Sequence, residues 1–325
     1  MSEDPKYREI EQFVRGHAGQ RLPGERALTA RFGISRPRLR GILKVLEQEQ
    51  LVRRRHGSGT YALAANGQEF RHAVLLVDAA LKLGDDPFFS RLVERLQGEL
   101  QAAGAQCVIQ RTAGEGVLLR RSDGVIALGV ASLNALSHAA LVSQPAVGLF
   151  AAATAKPGPS LSLLELDDEE AGIEAARRLV AQGIRQAYFF GRRAIPAVSE
   201  RLAGVERELQ RADVPLQIVE CGLNYEAGLE QGCRFAAPLQ EPTGLIAAND
   251  WLAVGLHTGL QSRNPKLRRH VTLLSFDGLP LTRHPELGIT SLAVPLDTMA
   301  TDTVAELQRL KRPGALGRAI RYTLH

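Results

Sequence analysis

From residue 73 onward, short apolar runs alternate with amphipathic stretches of helical period, and no other feature constrains the fold as strongly. Strand-like runs fall at Ala73–Val77, Gln106–Ile109, Gly124–Leu128 and Ala146–Phe150, with a helical pattern from Phe88 to Ala103 between the first two. A second series follows, with helix Asp168–Gln182, strand Gln186–Phe190, helix Ser199–Ala212, strand Leu216–Val219 and helix Tyr225–Ala236. It closes with strand Gly244–Ala247, helix Asp250–Ser262, strand Val271–Phe276 and helix Leu296–Leu310. Strands separated by helices return in the same direction, because a crossover rather than a hairpin joins them, and the helices then cover both faces of a parallel sheet. Two series predict two subdomains, whose ligands would bind beyond the carboxyl ends of the strands.

The first sixty residues are of another kind. They hold thirteen Lys and Arg against seven Asp and Glu, whereas the other 265 hold twenty-seven against twenty-eight. The net charge of +5 therefore originates in a short N-terminal module. A basic module ahead of a near-neutral body is the pattern of a polyanion-binding domain joined to something else.

Within that module, Tyr7, Ile10 and Val14 share one helical face and predict a helix over residues 5–17. A second short helix runs from Glu25 to Phe32, with Leu28 and Phe32 facing inward, and Gly33 supplies the break of a helix-turn-helix. Ser35 suits an N-cap and Pro37 is tolerated in the first turn of a third helix reaching Gln48, whose buried stripe is Leu39, Ile42, Leu43 and Leu46. Opposite that stripe, Arg36, Arg40 and Lys44 recur every four residues, and Arg38 projects from the same N-terminal end. Major-groove recognition helices present side chains from this end to base edges, and arginine is the side chain best shaped for guanine. Leu51-Val52, the run Arg53-Arg54-Arg55, His56-Gly57-Ser58-Gly59 and Thr60–Leu63 then read as strand, glycine-rich tip and returning strand. Such a wing places cations where they can reach the phosphate backbone or the minor groove.

These residues resemble the GntR family of winged helix-turn-helix regulators. Leu22-Pro23-Gly24-Glu25-Arg26-Ala27-Leu28 followed by Phe32-Gly33-Ile34-Ser35-Arg36 is similar to the family's LPSERELA…LGVSR signature, and Leu39-Arg40, Leu46-Glu47, Leu51-Val52 and Gly57-Ser58-Gly59-Thr60 continue it in register over about residues 5–63. The resemblance implies contacts with double-stranded operator DNA at Arg26, Arg36, Arg38, Arg40, His56 and Gly57, to which the third helix adds Ser35 and Lys44. Pro37 and Gly41 stand where the family usually has Thr and Glu, which bears on the operator sequence rather than on DNA binding.

In the body, polar residues sit at the predicted strand ends. Asn249-Asp250 follow the run Leu245–Ala248, Asp277 follows Leu273–Phe276, and Arg201 opens the helix after the strand ending at Gly191. Carboxylates and an arginine converging on a cleft can bond vicinal hydroxyls or clamp an anion. By spacing alone, Asp250 and Asp277 serve equally well as helix or turn caps.

The order of motifs resembles the LacI/GalR sensor domain, itself similar to periplasmic sugar-binding proteins. Asp86-Pro87-Phe88-Phe89 resembles NPFF, Asp123-Gly124-Val125-Ile126 resembles DGII, and Glu165-Leu166-Asp167 through Ala171-Gly172 resembles VxxDNxxAG. Arg201–Gly204 resembles RLAG, Ala247–Asp250 resembles AAND, and Ser275-Phe276-Asp277 resembles GFDD. The resemblance implies effector contacts at Phe88, Phe89, Arg201, Asn249, Asp250 and Asp277. Three departures stand out: Gly278 replaces the second Asp of GFDD, Phe150 replaces an aspartate after the strand Ala146–Leu149, and the stretch between Gln110 and Asp123 is short, so one helix looks truncated. Phe150, together with Leu128 at the end of the neighbouring strand, makes the first-subdomain wall less polar than a typical sugar site.

The expected architecture is an α/β chain: a winged helix-turn-helix over 1–63, a linker over 64–72, and a two-subdomain, parallel-sheet, periplasmic-binding-protein-like domain over 73–325 that binds effector and dimerises. The expected function is a transcription regulator, a repressor on family grounds, controlled by a small polar ligand such as a sugar or sugar derivative and acting as a homodimer. The alternative is a DNA-binding regulator whose sensor has lost its ligand and only dimerises. No catalysis, cofactor or metal is expected: nucleophile elbows, phosphate loops and metal-spaced histidine pairs are missing, and Gly222–Gly228 and Gly255–Gly259 do not form a dinucleotide fingerprint. Fusion to a pyridoxal-phosphate fold would need a longer body and a cofactor lysine, and residues 73–325 hold only Lys82, Lys156, Lys266 and Lys311. Three scattered cysteines, an acidic N-terminus and the lack of a long apolar run point to the cytoplasm and away from a membrane.

Overall fold

The computed structural model describes residues 5–17, 22–48, 51–55, 59–62, 70–114, 122–138, 144–150, 155–235, 242–263 and 270–325. The chain forms two compact units, Met1–Phe70 and Arg71–His325.

The first unit contains α1 (Pro5–Gly16), α2 (Glu25–Phe32), α3 (Arg36–Gln48) and the strands β1 (Val52–Arg55) and β2 (Gly59–Ala62). Tyr7, Ile10 and Val14 of α1 pack with Leu28 and Phe32 of α2 and with Leu39, Ile42, Leu43 and Leu46 of α3 in one core. The helical spacing of these apolar side chains thus predicts the stripe each helix buries. Gly33 ends α2 with φ 62°, the left-handed turn that redirects the chain into α3. The wing is an antiparallel pair in which Val52 faces Ala62 and Arg55 faces Gly59, and both Val52 and Ala62 are buried in the same core.

The second unit holds two sheets in which every pairing is parallel. One lobe has six strands in the order β13 (Ala319–Tyr322), β7 (Leu161–Leu166), β6 (Ala146–Leu149), β5 (Gly124–Leu128), β3 (His72–Asp78), β4 (Gln106–Thr112). The other has five, in the order β12 (Ile289–Ala293), β11 (Val271–Asp277), β10 (Thr243–Ala247), β8 (Gln186–Gly191), β9 (Leu216–Glu220). The central strands β5, β6 and β10 are buried throughout, which explains why they read as unbroken apolar runs. The helices are α4 (Pro87–Ala102) and α5 (Val130–His138) in the first lobe, α6 (Asp168–Ala181), α7 (Pro196–Arg211), α8 (Tyr225–Arg234) and α9 (Asp250–Arg263) in the second, and α10 (Leu296–Leu310), which packs on α4 of the first. Gly255 and Gly259 lie where α9 meets the backbone of α8, a packing role in place of any phosphate loop.

The chain passes between the lobes after β7 and after β12, and its last residues return to the same place. Asp167 N–H donates to Tyr322 O at 2.8 Å, and Ala293 and His325 exchange backbone bonds of 2.7 and 3.2 Å. The alternating pattern anticipates fourteen of these elements in the second unit but not α5, β7, β12 or β13, and β3 begins at His72, inside the stretch expected to be linker. Residues 64–69 of that linker, and most of the stretch expected to carry a truncated helix, residues 115–121, lie outside the described residues.

Candidate functional site

In the first unit, helix α3 exposes Arg36, Arg38, Arg40 and Lys44 along one side while its opposite side is buried, and Ser35 and Arg26 are exposed nearby. The Ser35 carbonyl accepts the first helical bond, from Leu39 N–H at 2.9 Å, so α3 starts where a cap was expected. Arg40 Nε donates to the Glu25 carboxylate of α2 at 2.9 and 3.1 Å, and both partners remain solvent-accessible. An exposed pair of this kind is worth about 0–1 kcal/mol, small enough for a phosphate or base edge to replace it. His56 and Gly57 at the wing tip lie outside the described residues.

In the second unit, a cavity of about 830 Å³ opens between the lobes at the carboxyl ends of both sheets. Six expected effector residues line it: Phe88, Phe89 and Phe150 from the first lobe, and Arg201, Asn249 and Asp277 from the second. The seventh does not. Asp250 is fully buried, and its carboxylate accepts hydrogen bonds from Ser275 Oγ (2.5 Å), Ser291 Oγ (2.6 Å), Leu279 N–H (2.6 Å) and Thr282 Oγ1 (3.4 Å). Its role is to tie the start of α9 to β11, β12 and the short 3₁₀ turn Pro280–Arg283, and the expectation of an effector contact there is corrected. Burial raises its pKa, and the hydroxyl and amide donors work against that rise.

Arg201 sits in the second turn of α7 rather than at its start, and is 6% exposed. Its Nε donates to Asp168 Oδ1 at 2.7 Å and its Nη1 to Ala248 O at 2.8 Å, while Asp277 Oδ1 lies 3.9 Å from Nη1 and the Phe276 ring 4.7 Å from the guanidinium carbon. Close packing of α6 on α7 sets this geometry: a side chain at Gly172 would collide with the Arg201 carbonyl. Asp168, first residue of α6, is a site residue the sequence reading missed. Its only signal was adjacency to Asp167, whose side chain caps the same helix through Glu170 N–H.

Asn249 caps α9, its Oδ1 accepting from Leu252 N–H at 2.9 Å, and its Nδ2 donates to Leu223 O at 3.0 Å. Asp277 ends β11 with φ 116°, a conformation rare outside glycine that aims the buried carboxylate into the strand-end cavity. Burial, with nearby Asp250, holds its carboxyl well above the usual range against the pull of Arg201. The following Gly278, at φ 74°, leaves no room for a Cβ against Ala293. That close approach accounts for glycine where the family resemblance has aspartate.

The first-lobe wall is built otherwise. Phe150 leaves β6 with φ 53°, and its ring meets Phe88 and Phe89 edge-to-face at 5.5 and 5.6 Å, the latter two lying 5.2 Å apart. Asp86 caps α4, accepting from Phe88 N–H (2.9 Å) and Phe89 N–H (3.3 Å), and also lines the cavity. Burial raises its pKa. Asp86 too was missed as a site residue, although the motif containing it was recognised. Leu128 is buried within the sheet and is not part of the wall. Among the described residues no cluster of His, Cys, Asp or Glu could hold a metal ion, and no helix is long and apolar enough to cross a membrane.

Comparison with known proteins agrees with this division. Residues 10–62 match the bacterial regulatory proteins of the gntR family, and residues 176–320 match the periplasmic binding protein-like domain. The HTH-type transcriptional regulator DegA of Bacillus subtilis (strain 168) is 23% identical over 231 residues, 67% of this chain and 68% of that one. Among solved structures, a LacI family transcriptional regulator from Enterococcus faecium with bound ribose aligns with a TM-score of 0.65 at 19% identity, over 78% of this chain and 96% of that one. The complex of the transcriptional regulator CelR with cellobiose aligns with a TM-score of 0.65 at 18% identity, over 94% of this chain and 98% of that one. The chain is a transcription regulator whose N-terminal segment matches the gntR family model and whose larger unit matches the periplasmic binding protein-like domain and shares the fold of the LacI family structures.

Proposed function

We propose that this regulator is a repressor switched by a small polar effector, a sugar or sugar derivative, bound in the cavity between the two lobes. The observation that carries the reading is convergence: Arg201, Asn249 and Asp277 from one lobe and Phe88, Phe89 and Phe150 from the other meet at one set of strand ends. Polar groups that fix orientation beside an apolar wall are the makings of a ligand pocket. Two of the solved relatives hold ribose and cellobiose, which supports a sugar-like occupant.

On the DNA side, Arg36, Arg38, Arg40 and Lys44 would face the major groove, with Ser35, Arg26 and the His56-Gly57 tip on flanking phosphates or the minor groove. A homodimer would place two such heads on a palindromic operator in the cytoplasm. The outer strand β4, which exposes Val108 and Ile109, offers an edge that a second copy could cover. Effector-driven closure of the lobes would alter the presentation of the heads, with a coupling of about 1–3 kcal/mol as is typical of such switches. No step of catalysis is assigned.

The aromatic first wall favours a second reading, in which the sensor has lost its ligand and only dimerises. A cavity of about 830 Å³ with Asp277 held in a strained conformation argues for an occupant instead. Two measurements decide. In a mobility-shift assay on the DNA upstream of the gene, Arg36→Ala combined with Arg40→Ala should abolish the specific complex; intact affinity would sink the DNA-contact assignment. In thermal-shift screening, a sugar-like compound should raise the melting temperature and lower operator affinity. If no compound does so, the sensor only dimerises.

A further inference from the structure

The charge balance of the cavity narrows the effector further. The described residues lining it include nine carboxylates and four cationic side chains. Its most buried cation, Arg201, spends two of its nitrogens inside the protein, on Asp168 and on the Ala248 carbonyl, with Phe276 against its face. That guanidinium is therefore poorly placed to clamp an anion, since two of its five N–H donors and its charge are already matched. Two other carboxylates at the cavity have no cation within hydrogen-bond range among the contacts described. Asp277 Oδ1 lies 3.9 Å from Arg201 Nη1, beyond hydrogen-bond range, and Asp86 comes from the opposite lobe with its bonds directed to the backbone of its own helix. Negative charge on Asp86 disfavours negative charge on Asp277 across the cleft, adding to the rise that burial and nearby Asp250 impose on the Asp277 carboxyl. Closing the lobes on an empty or anionic centre would strengthen that repulsion, because water leaves and the local dielectric falls. Beside them, three phenylalanine rings present π surface rather than hydrogen-bond partners.

The geometry points to an amine-bearing effector, such as an amino sugar, whose ammonium bridges Asp86 and Asp277 while its carbon-rich face lies on Phe88, Phe89 and Phe150. This inference rests on the reading of the cavity as the effector site and deepens it. An ammonium supplies three donors to two acceptor-only carboxylates, and its attraction to the ring faces adds to theirs. A carboxylate or phosphate at the same place would meet like charge.

The test uses the full-length protein and three probes that share one ring: glucosamine, glucose and glucuronate, repeated on the galactose frame. Calorimetric titration should give the ammonium member an affinity at least about tenfold above the neutral member, the increment expected of charge-assisted over neutral hydrogen bonds, and no binding of the acid. Asp86→Asn keeps a capping side chain on α4 and should remove most of that preference; if this variant does not fold, Asp277→Asn carries the same readout. Equal or tighter binding of the neutral member, binding of the acid, or binding of no probe on either frame overturns the inference. Operator release by a neutral sugar would overturn it too, yet leave the ligand-controlled regulator standing. Failure of the unliganded wild-type protein to bind operator would sink the regulator reading, while the affinity ranking would still decide the charge of the ligand.

Discussion

Charged side chains in the two units are used in opposite ways. On α3 the arginines stand in solvent, and Arg40 holds the Glu25 carboxylate in an exposed pair. In and behind the cleft wall, Arg201, Asp168, Asp250 and Asp277 are each less than a tenth exposed and bonded inward. An exposed cation keeps its charge for a macromolecular partner at little cost to the fold. A buried one has lost its hydration and must be matched within the protein, so its first role is structural. The comparison predicts that substitutions in the cleft frame will cost stability first and that substitutions on α3 will cost affinity alone.

The largest effect is expected at Asp168. Asp168→Ala strands the Arg201 guanidinium with the Ala248 carbonyl and a carboxylate 3.9 Å away. Breaking a buried pair by removing one partner costs about 3–5 kcal/mol. Urea unfolding followed by far-ultraviolet circular dichroism should register that loss, and a change below 1 kcal/mol would break the contrast between the units.

Acid should reach the same frame from another side. Glu306, 2% exposed, accepts from Ser162 Oγ (2.6 Å), Arg309 and Arg318 (3.1 Å), joining α10 to β7 and to the approach to β13. Burial opposes its ionisation, but these donors outweigh burial and bring its pKa down to about 2 from 4.5. A depressed carboxylate stabilises the fold above its unfolded pKa, and that contribution fades as pH falls from about 4.5 to about 2. Its full size is on the order of 3 kcal/mol, from the separation of the two values. Stability measured across this window should therefore slope downward toward acid, and Glu306→Gln should flatten the slope.

Asp250→Asn comes next, at about 2–3 kcal/mol, because an amide replaces one acceptor oxygen with a donor facing hydroxyl and amide donors. The outcome also separates two roles. Loss of stability with effector affinity retained in the folded fraction fits the hydrogen bonds to Ser275, Ser291 and Leu279. Unchanged stability with lost affinity would restore the effector contact that the sequence reading expected.

That misplacement shows where sequence ceased to be informative. The period of apolar residues carries the helices of the reader and most strands of the sensor, because burial imposes it directly. Strand ends carry the cavity, because a parallel sheet puts its ligands there. What periodicity cannot carry is pairing. Nothing around Asp168 indicates a bond to an arginine 33 residues onward, and adjacent Asn249 and Asp250 diverge, one lining the cleft and one turned inward, through helix geometry that shared chemistry conceals. The unpredicted strands have a similar cause. β13 is a four-residue edge strand with an arginine in it, and the leucines of β7 run straight into a motif read for its acidic residues.

The smallest effects belong to α3, and they test the other half of the contrast. Arg36→Ala should lower operator affinity by about 1–3 kcal/mol if the side chain reads a base, while stability stays within about 0.5 kcal/mol because the residue is exposed. Arg40→Ala should cost less affinity than Arg36→Ala, since part of the DNA interaction of Arg40 is offset by breaking its bond to Glu25. Glu25→Gln then becomes informative. By releasing Arg40 it should tighten operator binding by no more than about 1 kcal/mol, the upper range of an exposed ion pair, and the gain should shrink as salt is raised. Weaker binding in Glu25→Gln would mean that the glutamate orients Arg40 for DNA. In that case the exposed pair on the reader would act as Asp168 and Arg201 do in the cleft, and exposure alone would no longer separate the two uses of charge.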